Sequence, residues 1–247
     1  MKKIFFIIAC FLLIFAFYNC SDSDVLTATT PVNSSPPIVD GNLPRQYNYL
    51  ALGDSFTIGQ SVCETCRFPE QLRKKLGDLN PNDTYTSKII ATTGWTTTNL
   101  IAAINTENPA SNYDLVSLLI GVNNQYQNKP FSLYETEFPE LVNKAIALAR
   151  GDKSNVIVVS IPDYAFTPFG KQSSNSSIIS AEIDNYNAFA QKYCIERNIE
   201  FVSITDITRQ GLTNPLLVAT DGLHPSELAY SYFVERIFPK ASWAINN

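Results

Sequence analysis

Short apolar runs alternate with longer helix-like segments along most of the chain. Runs of strand length occupy residues 47–52, 85–91, 114–120, 155–161 and 200–204. Helix-like patterns occupy residues 68–78, 96–105, 132–150, 178–197 and 226–237. Strands that are apolar on both faces are typical of parallel sheets covered by helices on each side. The pattern therefore predicts an α/β fold with three layers.

Two features interrupt this alternation. Pro139 lies inside the third predicted helix, and proline disfavours a helix interior, so we expect that helix to be kinked or to start late. Long loops are predicted at residues 125–131 and 162–177. The second loop carries aromatic side chains, among them Tyr164 and Phe166, which we expect to line a pocket.

The N-terminus has the pattern of an export signal. Met1, Lys2 and Lys3 precede an apolar run over residues 4–18. This run is shorter than the roughly 20 residues that a membrane-spanning helix needs. It ends just before Cys20 and resembles a bacterial lipoprotein signal, which implies that this cysteine is lipidated after cleavage. Ordinary cleavage and an uncleaved anchor are the alternatives.

The next segment differs in composition from the rest of the chain. It is rich in Ser, Thr, Asp and Pro and has no apolar periodicity, which predicts a flexible tether. We therefore divide the chain into a signal peptide at residues 1–19, the lipidated cysteine and tether at residues 20–44, and a folded domain at residues 45–247. This organisation predicts a bacterial cell-envelope protein, lipid-anchored to a membrane and either periplasmic or surface-exposed.

Length and charge narrow the class of protein. A chain of 247 residues, 45% of them apolar, suits one domain with a sizeable core, and we expect a monomer. The formal net charge is −5 and basic residues are not clustered after Lys3, so nucleic acid is not expected as a partner. The glycine-rich motifs that cradle dinucleotides or nucleoside triphosphates are missing from the sequence.

The cysteines predict one disulfide rather than a metal site. Cys63 and Cys66 form a Cys-x-x-Cys pair, but zinc would need further ligands. In an exported protein a small disulfide loop is the simpler interpretation. Cys194, on the apolar side of a predicted helix, should remain a free thiol. We therefore expect no metal.

The first apolar run leads to a candidate nucleophile. Residues 47–52 are followed by Gly53, Asp54 and Ser55. A serine needs a base to accept its proton, and the chain has one histidine, His224, three residues after Asp221. An acid at this spacing can orient the imidazole ring. Gly-Asp-Ser by itself is equally compatible with an ordinary turn, and an acid at position 54 is expected to bond nearby backbone groups.

Two further stretches supply the remaining parts of an acyl-transfer site. Gly94 follows the second strand, and Asn123 follows the third. Acyl transfer needs a nucleophile, a base and donors aimed at the developing oxyanion. A glycine lets a backbone N–H approach a substrate closely, and an asparagine amide donates without carrying charge. The pattern is not the Gly-x-Ser-x-Gly elbow, since the next glycine after Ser55 is Gly59.

In order and spacing, these stretches resemble the four blocks of the SGNH (GDSL-type) hydrolase family, from about Tyr47 to the C-terminus. The resemblance implies a flavodoxin-like, five-stranded parallel sheet in the order 2-1-3-4-5. It implies hydrolysis of carboxylic esters, with small acyl, lysophospholipid or thioester-like substrates, and no cofactor. A carbohydrate acetylesterase with the same catalytic groups is an alternative, and so is a non-catalytic binding lipoprotein of the envelope.

The resemblance also implies roles for individual residues. Ser55 corresponds to the nucleophile, His224 to the base, and Asp221 to the acid that orients the histidine. The oxyanion hole corresponds to the backbone N–H groups of Ser55 and Gly94 and to the Asn123 side chain.

Several positions leave alternatives open. The family often has an acid where this chain has Asn124; that acid is usually structural, so an aspartate there should be tolerated. Asp163 is a second candidate to orient His224. Trp95 and Tyr126 are candidate pocket residues that could equally belong to the core or its rim.

Overall fold

A computed structural model of the protein describes residues 43–246. The predicted signal peptide, Cys20 and nearly all of the predicted tether lie outside these residues. The described part holds one five-stranded sheet with helices on both faces.

The strands are β1 (Gln46–Gly53), β2 (Thr84–Ala91), β3 (Leu115–Leu119), β4 (Val156–Val159) and β5 (Glu200–Val202). All are parallel, in the order β2-β1-β3-β4-β5, which confirms the expected topology. The central strands β3 and β4 are buried along their whole length, as their continuous apolar runs predict.

The helices are α1 (Ser55–Ile58), α2 (Phe68–Gly77), α3 (Thr97–Glu107), α4 (Val122–Tyr126), α5 (Phe131–Leu148), α6 (Ser176–Arg197), α7 (Thr205–Thr208) and α8 (Glu227–Asn246). On one side of the sheet α2 packs against α8, and on the other α5 lies between α3 and α6. Among residues 43–246, no helix is both long and apolar enough to cross a bilayer.

Two helices run through a proline. The expectation of a late start for the third long helix is wrong, because α5 begins at Phe131 and continues past Pro139. The last helix extends to Asn246, beyond the predicted end at residue 237 and past Pro239. Both helices keep a buried apolar face on each side of the proline, and this packing offsets the lost backbone hydrogen bond.

The predicted loops are partly structured. The short helix α4 takes up the start of the first one. The second contains two 3₁₀ turns, Tyr164–Phe166 and Gly170–Gln172, before α6 begins at Ser176. These turns place the loop's aromatic residues at the edge of the sheet where the strands end.

The cysteines differ in state. Cys63 and Cys66 form a disulfide in the segment between α1 and α2. Cys194 is a free, fully buried thiol on α6, and burial raises its pKa to about 12. Such a thiol is almost entirely protonated at neutral pH, so it is a poor nucleophile.

The sheet brings the candidate residues to one edge. Gly53, at the end of β1, pairs with Ala91 at the end of β2 and with Leu119 at the end of β3. The residues that follow these three strands therefore meet at the carboxyl edge of the sheet, where open α/β folds build their sites.

Candidate active site

Ser55 is positioned by the turn that ends β1. The Asp54 side chain caps α1 by accepting a hydrogen bond from the Phe56 N–H at 3.0 Å, as expected for an acid at this position. Ser55 thereby becomes the first residue of α1, and only 3% of its surface is exposed. The serine is held at the floor of a cavity rather than on a mobile loop.

His224 and Asp221 form a compact acid–imidazole pair. One carboxylate oxygen of Asp221, Oδ1, accepts hydrogen bonds from the backbone N–H groups of Leu223 (2.9 Å) and His224 (3.0 Å). The other, Oδ2, lies 2.6 Å from Nδ1 of His224. Because Nδ1 faces the carboxylate, Nε2 is the ring nitrogen left for a nucleophile.

Asp221 stays ionised throughout the neutral range. Burial alone would raise its pKa, but hydrogen bonds from Ser61, His224 and the local backbone outweigh that effect and lower the pKa to about 2. A depressed pKa means that the stabilisation by these bonds is complete above the ordinary value, about 4, and is lost as the pH falls through 2.

Ser61 is a member of the site that the sequence does not reveal. Its hydroxyl donates to Oδ2 of Asp221 at 2.7 Å, the same oxygen that faces His224. The Ser61 backbone has a φ of 68°, in the left-handed region. The neighbouring Gln60 accepts a hydrogen bond from Thr93 at 2.6 Å, so this loop touches both flanks of the site.

We expect Ser61→Ala to lower kcat/KM by about 10- to 100-fold, because a hydrogen bond to a charged group contributes about 1.5–3 kcal/mol. Ser61→Gly is the matched variant. It removes the same hydroxyl but relieves the left-handed backbone, so it should lose similar activity while unfolding at higher denaturant concentration than the alanine variant. Full activity in both variants would show that the hydroxyl has no part in holding Asp221.

Gly94 and Asn123 line the same cavity as Ser55 and His224. Gly94 has a φ of 82°, and the Gln127 amide donates to its carbonyl oxygen at 2.8 Å. Within the described residues, the Gly94 N–H donates to no other group. Asn123 lies at the start of α4, where Gly121 has a φ of 129° and leaves no room for a Cβ beside Tyr134. Both donors are thus held by turns that require glycine.

Asp54 also orients Asn123. Its Oδ2 accepts a hydrogen bond from Nδ2 of Asn123 at 3.3 Å. Burial raises the pKa of Asp54 to about 7, although the hydrogen bonds from Phe56 and Asn123 act in the opposite direction. The same aspartate therefore fixes Ser55 through the helix cap and Asn123 through its side chain.

Asn124 has a structural role that involves three helices. Its side-chain oxygen accepts from the Thr97 N–H at 2.9 Å, and its amide nitrogen donates to the Thr97 hydroxyl at 2.6 Å. That hydroxyl in turn donates to the Glu137 carboxylate on α5. Asn124 and Thr97 are fully buried, and this chain of bonds joins α4 to α3 and α5.

The family pattern predicts that an aspartate in place of Asn124 is tolerated, but these contacts indicate that it is destabilising. Asn124→Asp puts a second carboxylate where the amide now donates, and one hydroxyl cannot donate to both acids. We expect a loss of about 1–3 kcal/mol in the free energy of unfolding, measured by denaturant titration. Adding Glu137→Gln should recover most of it. An unchanged unfolding midpoint in the single variant would contradict this account.

One cavity of about 250 Å³ collects the candidate residues. Ser55, Gly94, Asn123 and His224 all line it. The rest of its wall is mostly apolar and aromatic, comprising Phe56, Val122, Tyr126, Tyr164, Phe169 and Leu223. Tyr126 and Tyr164, both expected in the pocket, are there, and their rings meet edge to face at 5.8 Å.

Two expected pocket residues lie elsewhere. Trp95 and Phe166 pack against the hydrophobic core and do not line the cavity. Trp95 directly precedes Thr96, whose capping box starts α3. Phe166 lies beneath the Arg209 guanidinium, 5.9 Å from its ring centre.

Asp163 does not orient His224. It is fully buried, and its Oδ2 binds Arg209 at 2.9 Å while its Oδ1 accepts the Ala165 N–H at 3.0 Å. Both carboxylate oxygens of Asp163 are thus bonded, one to the backbone of its own loop and the other to Arg209, which follows α7. Asp221 is therefore the acid that lies next to the histidine.

The arrangement matches the needs of acyl transfer. A hydroxyl, an imidazole with an ionised partner, and two neutral donors share one cavity. Among residues 43–246, no three His, Cys, Asp or Glu side chains are grouped so as to hold a metal ion.

The fold has counterparts in known proteins. Three solved structures align over most of their length with TM-scores of 0.55 to 0.59. A member of the lipolytic protein G-D-S-L family from Veillonella parvula is 17% identical, covering 78% of this chain and 97% of its own. The acetylxylan esterase Axe2 from Geobacillus stearothermophilus is 18% identical, covering 81% and 95%.

The third is the psychrotrophic esterase EstA from Pseudoalteromonas sp., solved inhibited by monoethylphosphonate, which is 17% identical and covers 81% of this chain and 99% of its own. At these identities the structures show a shared fold. No curated protein matches the chain. The profile of the GDSL-like Lipase/Acylhydrolase family, however, matches residues 51–232, well over half of the 247 residues. The chain therefore belongs to the GDSL-like lipase/acylhydrolase family of carboxylic ester hydrolases.

Proposed function

We propose that the protein hydrolyses esters of small acyl groups through an acyl-enzyme on Ser55. The observation that carries the proposal is the shared cavity of Ser55, Gly94, Asn123 and His224, with Asp221 bonded to the histidine. The esterase neighbours, one of them inhibited by a phosphonate, support the same chemistry.

The proposed reaction has two half-steps. Oγ of Ser55 attacks the ester carbonyl while Nε2 of His224 accepts the hydroxyl proton. The Asn123 amide and the N–H groups of Ser55 and Gly94 stabilise the oxyanion. His224 then returns the proton to the leaving alkoxide, which departs as the alcohol. A water molecule, activated by the same imidazole, releases the acid and restores Ser55.

The volume of the cavity favours a substrate with a small acyl group. This volume of about 250 Å³ is below the range of roughly 300–1,000 Å³ typical of sites for drug-sized ligands. A long lipid chain would have to leave this cavity, whereas an acetyl group fits inside it. An acetylated carbohydrate is therefore a second candidate substrate, since its acyl group is small.

The test is hydrolysis of p-nitrophenyl esters from acetate to palmitate by residues 43–247, combined with labelling by a fluorophosphonate. We expect activity to be highest with the shortest chains and a single label on Ser55 by peptide mapping. Labelling at another residue, or an absence of hydrolysis with any chain length, would refute the proposal.

We expect Asn123→Ala to lower kcat by about 10²–10³-fold with a smaller effect on KM, the cost of one oxyanion donor. The structure adds a control, Asn48→Ala, which removes an amide on β1 that bonds Thr86 far from the cavity. A change confined to KM in Asn123→Ala would instead make the amide a ground-state binding group.

We further propose that the protein is lipidated at Cys20 and attached to the bacterial envelope. The export signal and the cysteine at its end support this. Metabolic labelling with an alkynyl fatty acid should mark the wild-type protein and not Cys20→Ser. Equal labelling of both proteins would exclude Cys20 as the site.

A further inference from the structure

A second cavity borders the catalytic one. Tyr126, Tyr164 and Phe169 line the catalytic cavity, and the same three rings also line the second one, of about 460 Å³. The other walls of the second cavity come from the loop before α6 and from the first turns of α6. A substrate group that leaves the catalytic cavity past these rings therefore lies next to the second cavity.

A third cavity, of about 520 Å³, extends the series. It shares Gln125, Asn128 and Glu182 with the second and reaches Lys129 and Asn185. We call the second and third cavities the outer groove, defined by Gln125, Asn128, Gln172, Asn175, Glu182 and Asn185.

The floor of the outer groove is fixed by a partly buried network of hydrogen bonds. The Tyr164 hydroxyl donates to the side-chain oxygen of Gln125 at 2.8 Å, and the Gln125 amide donates to Glu182 at 2.7 Å. Gln125 is only 7% exposed. Because Tyr164 also lines the catalytic cavity, one set of hydrogen bonds holds the groove in register with Ser55.

The groove presents amides and aromatic rings together. The side chains of Asn128, Asn175 and Asn185 make no hydrogen bond within residues 43–246, so their donors and acceptors are available. Tyr126 and Phe169 are 52% and 39% exposed at the boundary with the catalytic cavity. Amides match the hydroxyl groups of a sugar, and ring faces pack against its C–H surface.

The charge of the groove distinguishes between classes of ligand. Among the residues lining its two cavities, the charged side chains are Glu182 and Lys129. Phosphate recognition favours arginine or several cations. The phosphate of a lipid head group would lie near one lysine and one acid, whose charges cancel. A neutral polyhydroxyl chain needs no net charge in the groove, so the groove suits it better.

We propose that the outer groove binds the carbohydrate portion of an O-acetylated oligosaccharide while the acetyl group occupies the catalytic cavity. The proposal rests on the esterase function proposed above and adds to it the chemical class of the alcohol. Specificity then comes from two regions, a small apolar cavity for the acyl group and an amide-rich groove for the sugar chain.

The test compares kcat/KM for p-nitrophenyl acetate, for acetylated xylo-, manno- and chito-oligosaccharides and their acetylated monosaccharides, and for lysophosphatidylcholine. We expect at least one acetylated oligosaccharide to exceed its acetylated monosaccharide by about tenfold or more. The double variant Asn175→Ala/Asn185→Ala should lower that oligosaccharide value by about tenfold, the equivalent of two lost hydrogen bonds, and leave p-nitrophenyl acetate unchanged.

The matched control is Asn82→Ala, an exposed asparagine in the turn before β2, at the opposite edge of the sheet. It should change neither substrate. No preference for oligosaccharide over monosaccharide in any series, or equal losses on both substrates in the double variant, overturns the groove assignment. So does a preference for lysophosphatidylcholine. Failure to hydrolyse any of the esters, including p-nitrophenyl acetate, refutes the esterase function itself.

Discussion

Ser55→Ala should reduce ester hydrolysis by about 10⁴-fold or more while leaving the fold intact. Loss of a triad nucleophile has effects of this size, because the remaining groups can only bind substrate and stabilise the oxyanion. The fold should persist because α1 is held by backbone bonds, among them those from Gly59 and Gln60 to the Ser55 carbonyl, and by the Asp54 cap.

Ser231→Ala is the matched control for this variant. Its hydroxyl bonds only to the Leu228 carbonyl of its own helix, at 2.7 Å. Both variants should unfold at the same denaturant concentration, and only Ser55→Ala should be inactive and resist the fluorophosphonate. An active, labelled Ser55→Ala enzyme would remove Ser55 from the mechanism.

His224→Gln should abolish most activity together with the acidic limb of the pH profile. A general base must be neutral to accept a proton, so kcat/KM rises with pH as the imidazole loses its proton. The chain has one histidine, so an untagged protein shows a single imidazole titration by NMR, and this signal should coincide with the limb. A flat rate profile while the imidazole titrates would show that His224 is not the base.

Two acids lie near the site, and their effect on the pH profile has to be distinguished from that of His224. Asp221, with a pKa of about 2, is ionised throughout the range and cannot produce the limb. Burial raises the pKa of Asp54 to about 7, so Asp54 changes its charge near neutral pH. Asp54→Asn removes that group and keeps its shape. The limb should persist in this variant, and its loss would assign the limb to Asp54.

The fold could be predicted almost completely from the sequence. Continuous apolar runs such as Val156–Val159 are typical of the buried strands of a parallel sheet. The errors occurred at proline, where a local rule competes with packing. Pro139 disfavours a helix, but Phe138 and Leu141 beside it are fully buried, and their packing keeps α5 continuous.

The candidate site could be predicted where short motifs carry it. Ser55, Gly94, Asn123 and His224 each follow a strand or stand in a recognisable block, and the structure brings them to one cavity. Contacts between distant loops have no corresponding motif in the sequence. Ser61 lies in a loop of ordinary composition, and only the folded chain shows that its hydroxyl meets Asp221.

The pocket walls were the least predictable part. Trp95 and Phe166 are as aromatic as Tyr126 and Phe169, yet the first pair faces the core and the second pair faces the cavity. Trp95 precedes the capping box at Thr96, and Phe166 lies beneath Arg209 at the end of α7; the aromatic pattern contains neither feature.

The placement of the candidate catalytic residues along the chain has a consequence for folding kinetics. Asp221 and His224 are three residues apart, so their pairing needs only a local turn. Ser61, six residues after Ser55, lies 160 residues from Asp221, and closing a loop of that length costs more entropy than forming the local turn. Recovery of activity after dilution from denaturant should therefore lag behind recovery of helical circular dichroism, since turnover begins only when the first and last segments of the domain have met.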